Sequence, residues 1–558
     1  MKYSNKQNAQ ELVCSLKNYG IRQIVISPGS RNAPLTISLT NDSFFETFSI
    51  VDERAAAFFA LGLIQQSGKP VVVCCTSGSA LLNYYPAVAE AYYSKLPLIV
   101  LSADRPEQLI DIGDGQTIRQ QGVFNNHIEG FFQIKNKGKE IKTFNRAFRM
   151  AIKESGPVHI NIPFDEPLYD LVPEIESSIV EAASTTFIEP SSNQELMSDL
   201  ALNEFAEKWN QANRKMVLVG ARKPSELMNE QIGKLLQDPS VIVLCESLSN
   251  IDHPRLINQI DQLIFTADDS VLKELKPDIL ISFGGMIVSK KIKQILRTYS
   301  PEEHWHISPF NAPDTFFALT DHIKMDVELF FSQFFWLIKE GQGTYQNNWI
   351  QRRDKHRKKH AEYVCQLPFS DFYVFSEIFR VLPKNILLQL ANSSVVRYAQ
   401  LFDYGKGIAS FANRGTSGID GSTSTAIGAA YNSDLEMQVF VSGDTSFFYD
   451  ANGLWNNYIP QSLKIIVINN NGGGIFRILP GPKKSGALSY FETPHNRSVK
   501  DLCKLNSISY RKAIDEDSLV LELSKLFQDT KGPKVLEVFT DAESNDKLVK
   551  KYFKFLAE

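Results

Sequence analysis

The sequence predicts an α/β protein made of three consecutive open parallel-sheet domains. Short continuous Val/Ile/Leu runs alternate with helical patterns almost throughout, as strands buried on both faces require. The alternation breaks twice: at 180–194, rich in Ser, Thr, Glu and Pro, and at the charged run 352–360. The expected domains are therefore 1–182, 195–345 and 365–558.

In the first domain the apolar runs lie at 24–26, 71–75, 98–101 and 159–162, with helix-like stretches at 54–65 and 80–94. Residues 180–194 read as a linker. A second set of runs follows at 216–220, 241–245, 279–283 and 304–308. The charged run RRDKHRKKH reads as the solvated face of a linking helix rather than a nucleic-acid patch. The third set lies at 386–390, 438–441, 465–468 and 535–539. A topology shared by the first and third domains is not readable from the sequence.

A formal net charge of -4 over 558 residues argues against a general affinity for nucleic acid, so any role for positive charge is local. The N-terminus is polar and lacks the apolar core of a signal peptide. No run approaches the roughly 20 apolar residues of a membrane span. A cytoplasmic protein without a membrane span is expected. None of the six cysteines forms a CxxC pair, and free buried thiols are expected.

Ligand sites in such sheets lie at the carboxyl ends of strands, where loops meet helix N-termini. In the third domain one run ends in Ser442-Gly443-Asp444-Thr445-Ser446, and the next ends in Asn469-Asn470-Asn471-Gly472-Gly473. Asp444 and Asn470 are one crossover helix and one strand apart, which puts both at the same sheet edge. Magnesium takes about six oxygen ligands and shares them with phosphates. The Asp444 carboxylate, the Asn470 amide oxygen and the Gly472 carbonyl would supply three. Ser446 and backbone N–H groups at the helix start suit phosphate oxygens.

A lone GD is an ordinary strand-end turn. GD followed by about two dozen residues and NN resembles the signature of thiamine-diphosphate enzymes, with Thr445 standing where many members carry Gly. The resemblance implies that the three domains are pyrimidine-binding, central and diphosphate-binding. It implies thiamine diphosphate and Mg2+ (Mn2+ as substitute) as cofactors, held by Gly443, Asp444, Thr445, Ser446, Asn470 and Gly472. It also implies a glutamate that hydrogen-bonds N1′ of the aminopyrimidine and so helps remove the thiazolium C2 proton. Glu53, at a strand end and helix start, matches; alone, a Glu in a first helical turn is a dipole pairing. Ile419 matches the apolar residue that props the cofactor into its V shape, and Thr76 and Ile475 complete the cofactor set. In the family the two halves meet across a subunit interface. That implies a homo-oligomer, at least a dimer, with Glu53 of one chain serving cofactor held by the other.

Strand-end loops also carry Ser30 and Arg31, Arg105, Gln116 and Arg119, Ser393 and Arg397, and Arg414. Arginine binds carboxylates through a two-pronged fork. Five of them are expected to point toward one mouth that takes polycarboxylate substrates. For any one of them alone the alternative is a surface ion pair. SPGSRNAP, DERAAAFFALG, TSGSA, ADRP, QTIRQ, NRGTSGIDG and GDTS…NNNGGGIF occur in this order. Together they resemble the thiamine-diphosphate-dependent synthases of menaquinone biosynthesis.

That resemblance implies decarboxylation of 2-oxoglutarate and conjugate addition of the succinyl unit to isochorismate. The five arginines would bind carboxylates, Ser30 would stand beside them, and Ser393 and Gln116 would hydrogen-bond the acceptor. Ile475 and Phe476 would form an apolar wall that limits water. Lys290, in the central domain, stands where the family places basic residues; a solvated lysine pair with Lys291 is the alternative. Gly115 departs from relatives that carry Asn. The rival functions are a decarboxylase or acetohydroxyacid-type synthase acting on smaller keto acids, and a non-catalytic binding protein of the same fold.

Overall fold

The computed structural model describes residues 2–135, 139–188, 196–529 and 531–558. Packing divides the chain into two compact units, 1–192 with 413–434 and 446–463, and 193–412 with 435–445 and 464–558. The α/β class with parallel sheets is as the sequence predicts.

The first unit contains a six-stranded sheet in the spatial order Glu46–Ser49, Gln23–Ile26, Val71–Cys75, Leu98–Asp104, Val158–Pro163 and Gly130–Gln133, every pairing parallel. The second unit holds two sheets. One runs Val241–Cys245, Lys215–Val219, Ile279–Phe283, Glu303–Ile307, Asp321–Ile323, again all parallel. The other runs Ile408–Phe411, Ile386–Leu390, Met437–Gly443, Leu463–Asn469, Lys534–Phe539, Ser509–Ala513. With strands numbered within each sheet in chain order, the first and last sheets share the order 2-1-3-4-6-5, and the central sheet reads 2-1-3-4-5. The sequence left this shared topology open.

In all three sheets the connection reverses between the first and third strands. Such a switch point leaves a crevice beyond the strands' carboxyl ends. In the first sheet the loops there are the ones that carry Arg31 and Thr76. In the last sheet they carry Ser393 and Asp444. The central sheet closes the same place with its own main chain. Gly220 N donates to Phe283 O at 2.8 Å and Gly285 N to Ala221 O at 2.7 Å. A Cβ on Gly220 would lie 1.9 Å from the Gly285 carbonyl oxygen, so only glycine fits there.

Within the first unit the helix Glu53–Ser67 lies against the helix Ser422–Tyr431. The approach is backbone to backbone: a Cβ on Gly62 would meet Thr425 O at 2.2 Å, and one on Gly428 would meet Phe59 O at 2.0 Å. The helix that begins at Glu53 is thereby docked against the one that follows the Ile419 loop.

Several local expectations need correction. The stretch read as a linker begins in a helix, Ser177–Thr186, whose Ile179 and Ala183 are buried. Two apolar residues one helical turn apart anchor it despite its polar composition. Its later part, 189–194, lies outside the described residues. The charged run does lie on a connecting helix, Tyr345–Val364, but Arg353 and His356 are buried. Arg353 Nη1 donates to the carbonyls of Pro254 and Leu256 at 2.7 and 2.8 Å, and Arg357 donates to Asn258 and Asp403. These guanidinium forks satisfy loop acceptors that burial would otherwise leave unpaired. The helix expected over 80–94 divides into Ser79–Asn83 and Tyr85–Ser94, because Pro86 has no N–H to donate. All six cysteines are free, but Cys365 is exposed.

Candidate active site

The predicted metal residues come together in the second unit. Strand Met437–Gly443 delivers Asp444, and strand Leu463–Asn469 delivers Asn470 and the turn after it. The Asp444 carboxylate is buried. Its Oδ1 accepts from Thr445 N at 2.6 Å and its Oδ2 from Gly472 N at 3.0 Å. His495 Nε2 stands 3.4 Å from Oδ2. Burial pushes the Asp444 carboxyl up to about 7, against the opposing effect of these N–H donors.

Gly472 takes φ 144°, and a Cβ there would meet Glu492 O at 2.6 Å, so the turn is closed to other residues. Its carbonyl accepts from Gly474 N at 2.9 Å, which leaves one lone pair. Asn470 Nδ2 donates to Asp371 Oδ2 at 2.8 Å, whereas Asn470 Oδ1 is buried and has no hydrogen-bond partner among the described residues. Beyond the glycines, Ile475 and Phe476 open the short helix Ile475–Ile478, half-buried, with Phe476 against Phe491. Arg477 pairs with Glu492, which ties this turn down.

A cation fits this set. A buried carboxylate with a raised pKa and an orphaned amide oxygen both gain from a divalent ion. Among the described residues no group of three or more His, Cys, Asp or Glu could hold a metal. A cation here would thus have one carboxylate and neutral oxygens, which suits sharing with phosphates.

The second unit also carries Ser393, Arg397 and Lys290. Ser393 holds φ 70° immediately before the helix Ser394–Ala399, on which Arg397 is half-buried. Arg397 and Lys291 both favour the charged form of the half-buried Asp261, whose carboxyl desolvation otherwise pushes up. Lys290 is exposed at the first position of the helix Lys290–Thr298.

The remaining predicted residues belong to the first unit. Glu53 is half-buried at the start of its helix, where Asn83 Nδ2 approaches it at 3.4 Å and Asp52 caps Ala55 N. The Ile419 carbonyl accepts from Ser446 Oγ at 2.8 Å, so the Ser446 hydroxyl proton is already used. Arg31 is buried; it donates to Phe164 O at 2.8 Å and pairs with Glu166, and burial together with the nearby Arg105 lowers its pKa. Ser30, next to it, is exposed, and Thr76 Oγ1 accepts from Arg31 N at 3.3 Å.

Arg105 donates to Gly115 O at 2.9 Å and lies 3.5 Å from Asp114. Gln116 is exposed with φ 56°. Arg119 is 82% exposed and paired with Asp111 of its own loop. Arg414 is half-buried in a loop that Glu90 holds from below, accepting from Gly415 N at 2.7 Å and Thr416 N at 2.6 Å. Of the five arginines, then, Arg31 and Arg105 are close enough to repel, Arg119 and Arg414 stand on separate loops, and Arg397 is in the other unit.

Four residues that act as structural partners carried no usable sequence signal. Asp371 is buried far along the chain from Asn470. Glu90 lies inside an ordinary helix. Gln120 and Asn161 form a buried link: Gln120 Oε1 accepts from Gly78 N at 2.9 Å and its Nε2 donates to Asn161 Oδ1 at 2.7 Å. That link joins the loop after Val71–Cys75 to the loop that carries Gln116 and Arg119. Gln120 stood inside the QTIRQ motif, but nothing local distinguishes a buried glutamine from an exposed one.

The fold is that of a thiamine-diphosphate enzyme, and residues 7–131 match the family described as thiamine pyrophosphate enzyme, N-terminal TPP binding domain. The 2-succinyl-5-enolpyruvyl-6-hydroxy-3-cyclohexene-1-carboxylate synthase of Flavobacterium johnsoniae is 48% identical over 549 residues, covering 98% of this chain and 97% of that protein. The synthase of the same name from Christiangramia forsetii is 46% identical over 585 residues, covering 100% of each. That of Bacteroides fragilis is 36% identical over 571 residues, covering 99% of each. The chain belongs to the family of 2-succinyl-5-enolpyruvyl-6-hydroxy-3-cyclohexene-1-carboxylate synthases. Among the described residues no helix is long and apolar enough to cross a membrane.

Proposed function

We propose that this chain decarboxylates 2-oxoglutarate and adds the resulting four-carbon unit to isochorismate. The products would be 2-succinyl-5-enolpyruvyl-6-hydroxy-3-cyclohexene-1-carboxylate and carbon dioxide, in menaquinone biosynthesis. The observation that carries this is the end-to-end similarity to synthases of that name. Residues 1–182 act as the pyrimidine-binding domain, 195–345 as the central one and 365–558 as the diphosphate- and metal-binding one. The enzyme works in the cytoplasm as a homo-oligomer whose sites lie at the subunit interface.

Asp444, Asn470 and Gly472 hold Mg2+, or Mn2+ in its place. Gly443, Thr445 and Ser446 hold the diphosphate, Ser446 by donating its backbone N–H at the helix start. Thiamine diphosphate, when bound, supplies the electron sink that lets carbon dioxide leave. Glu53 holds a proton against N1′ of the aminopyrimidine. Thr76, Ile419 and Ile475 position the rings. Arg31, Arg105, Arg119, Arg397 and Arg414 bind substrate carboxylates, with Ser30, Gln116, Ser393 and Lys290 as polar contacts. Ile475 and Phe476 exclude water from the reacting carbons.

The test mixes purified protein with thiamine diphosphate, Mg2+, 2-oxoglutarate and isochorismate and follows isochorismate absorbance and product mass. Loss of isochorismate that needs every component, with the expected product mass, is the predicted result. Decarboxylation of 2-oxoglutarate with isochorismate untouched would overturn the acceptor assignment. Turnover of pyruvate alone would overturn the reaction.

A further inference from the structure

We propose that Asp371 is a positioning residue for the metal site, fixing which end of the Asn470 side chain is left for the cation. The inference rests on the reading of Asp444, Asn470 and Gly472 as metal ligands. An asparagine amide offers two N–H donors at one end and an acceptor at the other, and only the oxygen end can ligate Mg2+ or Mn2+. The two ends have nearly the same size and shape, so packing alone does not select between them. A neighbouring acceptor does, because it takes the NH2 end.

Asp371 is placed to be that acceptor. It is the first residue of the helix Asp371–Val381 and is buried. Its Oδ2 accepts from Asn470 Nδ2 at 2.8 Å, and its Oδ1 accepts from Thr540 Oγ1 at 2.5 Å. Its backbone N–H donates to Asn545 Oδ1 at 2.9 Å, which pins the helix start. The side chain is therefore fixed by two strand ends of the last sheet, and its backbone by the C-terminal helix.

The consequence is the orphaned Asn470 Oδ1, buried with no partner among the described residues. Leaving a buried acceptor unmade is costly, and a flip of the amide would only exchange one orphan for a worse acceptor–acceptor contact with Asp371. An acceptor held unsatisfied at a strand end, next to a buried carboxylate, is a preorganised ligand. Outer partners orient metal ligands in this way, and their loss weakens metal binding by about 10–100-fold.

The test uses the full-length chain with thiamine diphosphate and Mn2+ as the probe metal, titrated by electron paramagnetic resonance, with circular dichroism to check folding. Asp371→Asn can turn either its oxygen or its NH2 toward Asn470, so it no longer selects one end of that amide, and Mn2+ should bind about 10–100-fold more weakly in a folded protein. The swap D371N/N470D puts a carboxylate at the ligand position and an amide behind it, and should return affinity toward that of the parent. A merely structural role for Asp371 gives no such rescue. Should D371N fail to fold, the swap alone carries the test: folded and metal-binding supports the inference, folded and non-binding overturns it. Parent-like Mn2+ affinity in folded D371N also overturns it. If the parent itself bound no Mn2+ with thiamine diphosphate present, the metal reading would fall first, and this inference with it.

Discussion

At the carboxyl edge of the last sheet, Asp444 follows the strand at the switch point and Asn470 follows the strand beside it, and among the described residues the buried amide oxygen of Asn470 has no hydrogen-bond partner. At the switch point of the central sheet, the main chain of Gly220 meets that of Gly285 so closely that no side chain fits between. Both sheets begin with the strand order 2-1-3-4, and that order places a crevice beyond the same strand ends. The crevice is a product of topology. Its use depends on the side chains placed there: polar groups with unmet valence in one sheet, glycine contacts in the other.

The comparison is broken most directly at Asp444. Asp444→Ala should weaken Mn2+ binding by more than the roughly 10–100-fold that outer partners cost, because it removes the one carboxylate of the set. Titration of Mn2+ in the presence of thiamine diphosphate measures it, and unchanged affinity would remove the site from this sheet edge. The central sheet should respond in the opposite way. Gly220→Ala drives a methyl group into the Gly285 carbonyl and should cost about 3 kcal/mol of stability in denaturant unfolding. Metal affinity of the folded fraction should stay as in the parent.

Acid sharpens the contrast further. In the central sheet His304 and His306 share the hydroxyl of Ser282, at 2.7 and 2.9 Å, and burial lowers both to about 4. The unfolded chain takes up these protons near pH 6.5 and the folded chain does not. Their stabilisation is thus complete above pH 6.5 and is lost as pH falls toward 4, by about 2 kcal/mol for each at pH 5. Unfolding followed between pH 7 and 5 checks this, and His306→Gln should flatten the profile. The smallest expected effect is at Gly443, where a Cβ would meet nothing within 4 Å. Gly443→Ala should leave stability within about 0.5 kcal/mol. If thiamine diphosphate occupies that space, the same change weakens its binding, as cofactor titration would detect.

Much of this was legible locally. Strands Val71–Cys75, Ile279–Phe283 and Leu463–Asn469 are near-continuous apolar runs, as strands covered on both faces must be. The GD and NNNGG turns follow directly from where such runs stop. The arginines were legible as residues but not as a cluster. Arg31 is buried against Phe164 O, whereas Arg119 is paired with Asp111 in its own exposed loop. Local sequence gives the same reading for both.

The sequence by itself determined the class of fold, the place of the strand-end motifs and the family, because hydrophobic periodicity and short motifs depend on neighbouring residues. Tertiary structure alone decided which distant groups complete them. Asp371 reaches Asn470 across 99 positions, Glu90 holds the Arg414 loop across more than 300, and Gly220 closes on Gly285. These pairings arise when strands pair out of chain order. Each partner's own surroundings, an ordinary helix start, a helix interior or a strand-end glycine, carry no trace of the contact.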